Sequence, residues 1–187
     1  MGRLICFLRN QDGNSAAEMA LVTPFLLALL FGSVELGNLF MDEHALEKQI
    51  RDGARYASRL TVSDDYSCSA DPSTVYQDGA AAADEIINVT KNGAVSGNTT
   101  ARWTSYWNRN CDGKAQTVSV SIRCVDKDQI DTTASGNTGI YTSLPGTEIP
   151  VVKVSGAVKY RSVFALLGFD ATNVCLQADS EAAVQGL

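Results

Sequence analysis

The sequence predicts an α+β fold: a long N-terminal helix, its first part transmembrane, packed on a small antiparallel sheet of three or four strands, with a second helix. Three observations predict it. Met19 to Val34 reads MALVTPFLLALLFGSV, sixteen residues without a charge. Beyond Met41, apolar and small residues recur at spacings of three and four. Three later segments alternate apolar and polar residues with period two. With 187 residues the chain suits one domain plus an appendage.

The first element is the apolar helix. Extending the uncharged run back to Ala16 and on to Met41 supplies the roughly 20 residues that a spanning helix needs. The predicted span is residues 16–41, interrupted by Glu18 near its start and Glu35 inside it. Arg3 and Arg9 precede the run, whereas Asp42, Glu43 and Glu47 follow it. The positive-inside rule therefore puts the N-terminus in the cytoplasm and everything after Met41 across the membrane. No small-residue cleavage pattern follows the run, so the helix is expected to stay on the protein. Pro24 lacks an N–H and is expected to kink it. Glu35 either faces a polar partner or snorkels at the far interface.

The helix continues past the membrane. Leu46, Ile50, Gly53, Ala57 and Leu60 form one stripe, with Glu47, Lys48, Arg51 and Arg55 around it. A helix from about Asn14 to Leu60 would be about 70 Å long at 1.5 Å per residue. Gly53, Ala54 and Ala57 are small enough to let a neighbouring element approach closely.

Residues 10–19, NQDGNSAAEM, place Glu18 five positions after Gly13, at the mouth of the apolar run. This arrangement resembles the processing site of type IV prepilins and pseudopilins. There a membrane peptidase cuts after the glycine of a short basic leader and leaves a glutamate as fifth residue. The resemblance implies a leader over residues 1–13, a new N-terminus at Asn14, and an assembly role for Glu18. A carboxylate at the hydrocarbon edge is costly unless paired. The α-amino group of a neighbouring subunit would offset part of that cost and fix axial register.

The longer stretch from Ser15 to Arg59 is similar to the TadE-like family, minor pseudopilins of the tight-adherence (Tad, or Flp) pilus. The residues that carry the similarity are Ala17-Glu18-Met19-Ala20-Leu21, Pro24, Glu35 with Gly37, and Arg51-Asp52-Gly53-Ala54-Arg55-Tyr56-Ala57. Met19 departs from the pattern, since an aromatic often follows the glutamate. The resemblance implies a minor pilin or pseudopilin of a Tad-type type IV pilus, contributing to pilus assembly and hence to surface adherence. It implies partners: other pilin subunits through the N-terminal helix, a prepilin peptidase, the inner-membrane assembly platform and the membrane itself. The place would be a bacterial inner membrane, single-pass, with a periplasmic C-terminal domain that becomes extracellular after assembly. Two rivals keep the anchor but not the assembly role: a stationary bitopic component of the platform, and a membrane-anchored periplasmic binding domain.

The exported domain is expected over residues 61–187, after the helix of residues 14–60. TVSDDYSCSADPS reads as a loop, and residues 74–91 as a second helix with Ala82, Ile86 and Val89 on one face. A further loop leads to Trp103, Tyr106 and Trp107, expected to cap a small core. Then come three strands. Val118, Val120, Ile122 and Cys124 share one face of the first; Val152, Val154, Val158 and Tyr160 share one of the second. Val174, Leu176 and Ala178 share one of the third, with Cys175 opposite. The helix stripe is the natural cover for the apolar face. SVFALLGF, residues 162–169, reads as an apolar crossover.

Composition excludes several functions. A formal charge of −6 without a basic run argues against nucleic acid. His44 is the single histidine, which removes sites built on several histidines and most His-dependent catalytic sets. No phosphate loop, nucleophile elbow or paired base is spelled out, so no catalytic, cofactor or metal residue is assigned and the chain is read as a non-enzyme. Asp126, Asp128 and Asp131 could offer oxygens to Ca²⁺, but the spacing is not an EF-hand and a solvated loop is the preferred reading. Asn88 and Asn98 match the N-glycosylation pattern, discounted in a bacterial context. Cys6 lies in the leader. Cys68, Cys111, Cys124 and Cys175 lie on the exported side, where disulfides persist. Three connectivities are open to them. The preferred one is Cys68–Cys111 with Cys124–Cys175, although Cys175 sits on the wrong face of its strand for that pairing.

Overall fold

The computed structural model describes residues 12–60, 68, 81–96, 107, 111, 117–127, 147–165, 168 and 173–185. Their architecture is α+β: helix α1 (Asp12–Ala57), helix α2 (Ala81–Asn92), and strands β1 (Val118–Asp126), β2 (Glu148–Lys159) and β3 (Cys175–Ala183). The strands form one antiparallel sheet in the order β1-β2-β3. Of the expected second helix, residues 74–80 lie outside the described residues. So do Asp128, Asp131, Trp103, Tyr106 and the leader residues 1–11.

The period-two pattern sets the register. Val118, Val120 and Ile122 of β1 are buried and stand opposite Gly156, Val154 and Val152 of β2. Val152, Val154 and Val158 in turn face Ala182, Ser180 and Leu176 of β3. The other face is wet and charged. Lys153 bridges Asp179 at 3.3 Å and Glu181 at 3.8 Å, and Arg123 reaches Glu181 at 3.0 Å. These exposed pairs align the strands more than they stabilise them.

α1 covers the apolar face with the expected stripe. Leu46, Ile50, Ala54 and Ala57 are fully or almost fully buried, and Leu60 packs at the edge. The close approach to the sheet is made by a glycine of the strand. A Cβ on Gly156 would lie 2.5 Å from Ile50 Cδ1 and 3.3 Å from Leu46 Cδ1, so any side chain there would force Ile50 to shift. Gly53 instead serves α2, since a Cβ on it would overlap Thr90 Oγ1. The buried Thr90 hydroxyl donates to Ile86 O at 2.7 Å within its own helix. α2 ends at Gly93, whose φ of 71° and N–H to Val89 O form a left-handed C-terminal cap.

Helix and sheet meet at both ends of the sheet as well as along the core stripe. Tyr160, just past β2, meets α1 at Glu35, and Gln185 N, just past β3, donates to Ser58 O at 2.7 Å. The sheet thus has one end near the apolar half of α1 and one end near its C-terminus. Trp107 is 4% exposed and belongs to the core, as expected of a capping aromatic.

Candidate functional site

α1 is bare from Ser15 to Leu30. Met19, Leu21, Phe25, Leu29 and Met41 are each at least 65% exposed, and Leu26, Leu27, Leu30 and Leu36 about half or more. No part of its most apolar window is buried in the rest of the protein. A soluble core helix of this composition would be covered, because each exposed Leu or Phe forgoes about 1.5–3 kcal/mol of burial. Among the described residues this is the one helix long and apolar enough to cross a membrane. α1 runs unbroken through Pro24, and Thr23 Oγ1 donates to Met19 O at 2.6 Å beside it. Gly13 and Asn14 lie in its first turn, and Glu18 is exposed one turn later.

The domain grips this helix earlier than the stripe from Leu46 suggests. Tyr160 Oη donates to Glu35 Oε1 at 2.9 Å and accepts from Asn38 Nδ2 at 3.0 Å. The backbone N–H of Val163 donates to Glu35 Oε2 at 3.1 Å. Just below, the rings of Phe31 and Phe164 meet with centroids 5.1 Å apart. Glu35 therefore faces a polar partner supplied by the domain and does not snorkel. Burial, above all, raises the Tyr160 phenol above its ordinary 10.0; Glu35 and Asp42 push the same way, against the Asn38 amide. Beside this clasp lies a groove of about 500 Å³, lined by Phe31, Leu36, Leu39, Phe164 and Val174 among others. Nothing in the local pattern of β2 marked Tyr160 as the clasp residue. Val174 was expected on the buried face but is 39% exposed, because it lies before β3 begins, on the groove's rim.

The disulfides correct the preferred pairing. Cys68 joins Cys124 and Cys111 joins Cys175, with Cα atoms 5.6 and 5.9 Å apart. The expected Cys124–Cys175 bridge is geometrically closed. Cys124 stands opposite Pro150 and Cys175 opposite Lys159, nine residues apart on β2. That is about 30 Å along a strand at 3.3 Å per residue, against the roughly 4.4–6.8 Å a bridge allows. The two bridges clamp opposite ends of the sheet.

The remaining candidates are plain. His44 is exposed and 3.8 Å from Glu47 on the same helix. Asp126 is exposed at the end of β1. Among the described residues, Cys68, Cys124 and Glu148 are the one group close enough to hold a metal, and both sulfurs are committed to the disulfide.

Residues 13–55 match the family model of TadE-like protein. Over that span the chain is TadE-like. The TadE-like segment runs from Gly13 through the bare apolar helix to Arg55. Its last motif is a packing device. Arg51 and Arg55 face solvent, Gly53 admits Thr90, Ala54 and Ala57 enter the core, and Tyr56 Oη donates to Glu85 Oε2 of α2 at 2.9 Å. No curated protein and no solved structure matches the chain.

Proposed function

We propose that this chain is a minor pilin or pseudopilin of a Tad-type type IV pilus, held in the bacterial inner membrane by α1 until it is assembled. Its N-terminus is cytoplasmic and its sheet domain periplasmic, or extracellular once in the fibre. A prepilin peptidase removes residues 1–13, and Glu18 pairs with the new α-amino group of a neighbouring subunit. The observation that carries this reading is the bare apolar half of a 46-residue helix, opened by Gly13 and Glu18 and TadE-like over residues 13–55. Such a surface needs a continuous apolar surrounding, first lipid and then the helices of other subunits.

Glu18→Ala separates assembly from anchoring. Membrane insertion depends on the apolar run, which the substitution leaves intact; register between subunits depends on the charge. The variant is expected in the membrane fraction at normal level while surface pili are lost or sharply reduced. Normal piliation would favour a stationary component of the assembly platform.

A further inference from the structure

The clasp fixes how close the sheet domain comes to the bilayer. Counted from Glu18 at the cytoplasmic boundary, a hydrocarbon core of about 30 Å takes up roughly 20 helical residues, reaching Asn38. The uncharged run ends earlier, at Val34, about 24 Å from Glu18 at 1.5 Å per residue. On this scale Phe31 lies about 10 Å inside the far boundary and Glu35 about 5 Å inside it. Yet both are held by the domain: Phe31 by Phe164, and Glu35 by Tyr160 and the Val163 N–H. Helix tilt shortens the span and draws the domain deeper.

The surface brought to that depth suits lipid. Val163 is 52% exposed, and Val174 and Leu36 are also open beside the apolar groove. Hydrogen bonds within the protein offset part of the cost of polar groups at that depth: each oxygen of Glu35 accepts one, from Tyr160 Oη and Val163 N–H, and the Asn38 amide donates to Tyr160. Arg161 is exposed two residues before Val163, within reach of headgroup phosphates. The lipid-facing surface of α1 thus continues onto the domain.

We propose that residues 161–165 and the adjoining groove are a membrane-docking surface: Val163, Phe164 and the groove insert into the outer leaflet of the bilayer, with Arg161 at its phosphates. This rests on the reading of α1 as a membrane span. The occupant is phospholipid, and the loop deepens the anchor by adding an apolar collar where the uncharged run falls short. Departure of the subunit from the bilayer then requires the collar to leave lipid together with α1.

The test uses the full chain with Cys6→Ser, carrying a single environment-sensitive label on Val163→Cys. The protein is reconstituted in vesicles of phosphatidylethanolamine and phosphatidylglycerol with nitroxide-labelled lipid. Leu27→Cys, on the bare helix, is the lipid reference. Lys48→Cys, about 20 Å beyond Glu35 along α1, is the aqueous one. Ala165→Cys, exposed on the same loop, is a second reporter should Val163→Cys misfold. The loop label is expected to emit blue-shifted, to lose most of its fluorescence to nitroxide lipid as Leu27→Cys does, and to resist iodide. If both loop labels behave like Lys48→Cys while Leu27→Cys is quenched by lipid, the docking surface is refuted and the span stands. If neither lipid nor iodide quenches the loop, a second copy of the chain covers the groove and the proposal fails. If Leu27→Cys also escapes lipid quenching, the span reading fails and takes this proposal with it.

Discussion

Gly156→Ala tests the packing of α1 on the sheet at its tightest point. The added Cβ would sit 2.5 Å from Ile50 Cδ1, 3.2 Å from its Cγ1 and 3.3 Å from Leu46 Cδ1. Carbon atoms prefer about 3.5–4.0 Å, so Ile50 must move by about 1 Å. It has no open side to move into, because Ile50, Leu46, Val152 and Val154 are all 0% exposed. Overpacking of this kind costs about 1–3 kcal/mol. Replacing glycine in a strand returns about 0.5–1 kcal/mol, which leaves a net loss of up to about 2.5 kcal/mol. Ile50→Val deletes the clashing methyl and alone costs about 0.5–1.5 kcal/mol. In the double variant the new Cβ fills the space that Cδ1 vacates. The pair should therefore be more stable than the sum of the singles by about 1 kcal/mol or more. The assay is denaturant unfolding of the oxidised protein in detergent, followed by tryptophan fluorescence, to which the buried Trp107 contributes. Additivity within about 0.5 kcal/mol, or a stabilising Gly156→Ala, would refute the proposed contact.

Non-reducing peptide mapping should recover a Cys68–Cys124 peptide and a Cys111–Cys175 peptide. Loops of 56 and 64 residues make each bridge worth up to about 4 kcal/mol through the unfolded chain, and a Cys68–Cys111 peptide would contradict the fold at both ends of the sheet. The domain should also lose stability in alkali. Tyr56 is raised above its ordinary 10.0 by burial and then by Glu85, and Tyr160 chiefly by burial. A raised pKa gives stability that is fully present below the unfolded value near 10 and is lost as pH rises through the higher folded value. Tyr56→Phe and Tyr160→Phe should each flatten that alkaline loss and remove a late phenolate step near 295 nm; an unchanged profile in both would contradict the two partly buried hydrogen bonds.

Local periodicity made much of this fold legible. The alternation in Val118–Ile122 and Val152–Val158 named the buried face, and the spacing of Leu46, Ile50, Gly53 and Ala57 named the helix that covers it. These patterns survive because each residue's face is fixed by its own strand or helix. What failed depended on relations between elements. In a three-strand antiparallel meander β1 and β3 run the same way, so a cysteine ending β1 and one opening β3 lie at opposite ends. The Cys124–Cys175 pairing overlooked this direction, although the facing of Cys175 already spoke against it. Gly156 reads as an ordinary strand position until a helix lies on it. The Glu35–Tyr160 clasp joins residues 125 apart in sequence, and no spacing rule connects them. Glu35 itself stood out, because a carboxylate in an apolar run demands a partner, but the chain does not say where that partner comes from.

If α1 becomes the N-terminal helix of an assembly subunit, residues 1–13 must first be removed. Intact-mass and N-terminal peptide analysis of the protein from membranes and sheared pili of its native host tests this most directly. A mature chain beginning at Asn14 is expected, with Gly13→Ala accumulating the longer form. A chain that keeps residues 1–13 beside an active prepilin peptidase would contradict it.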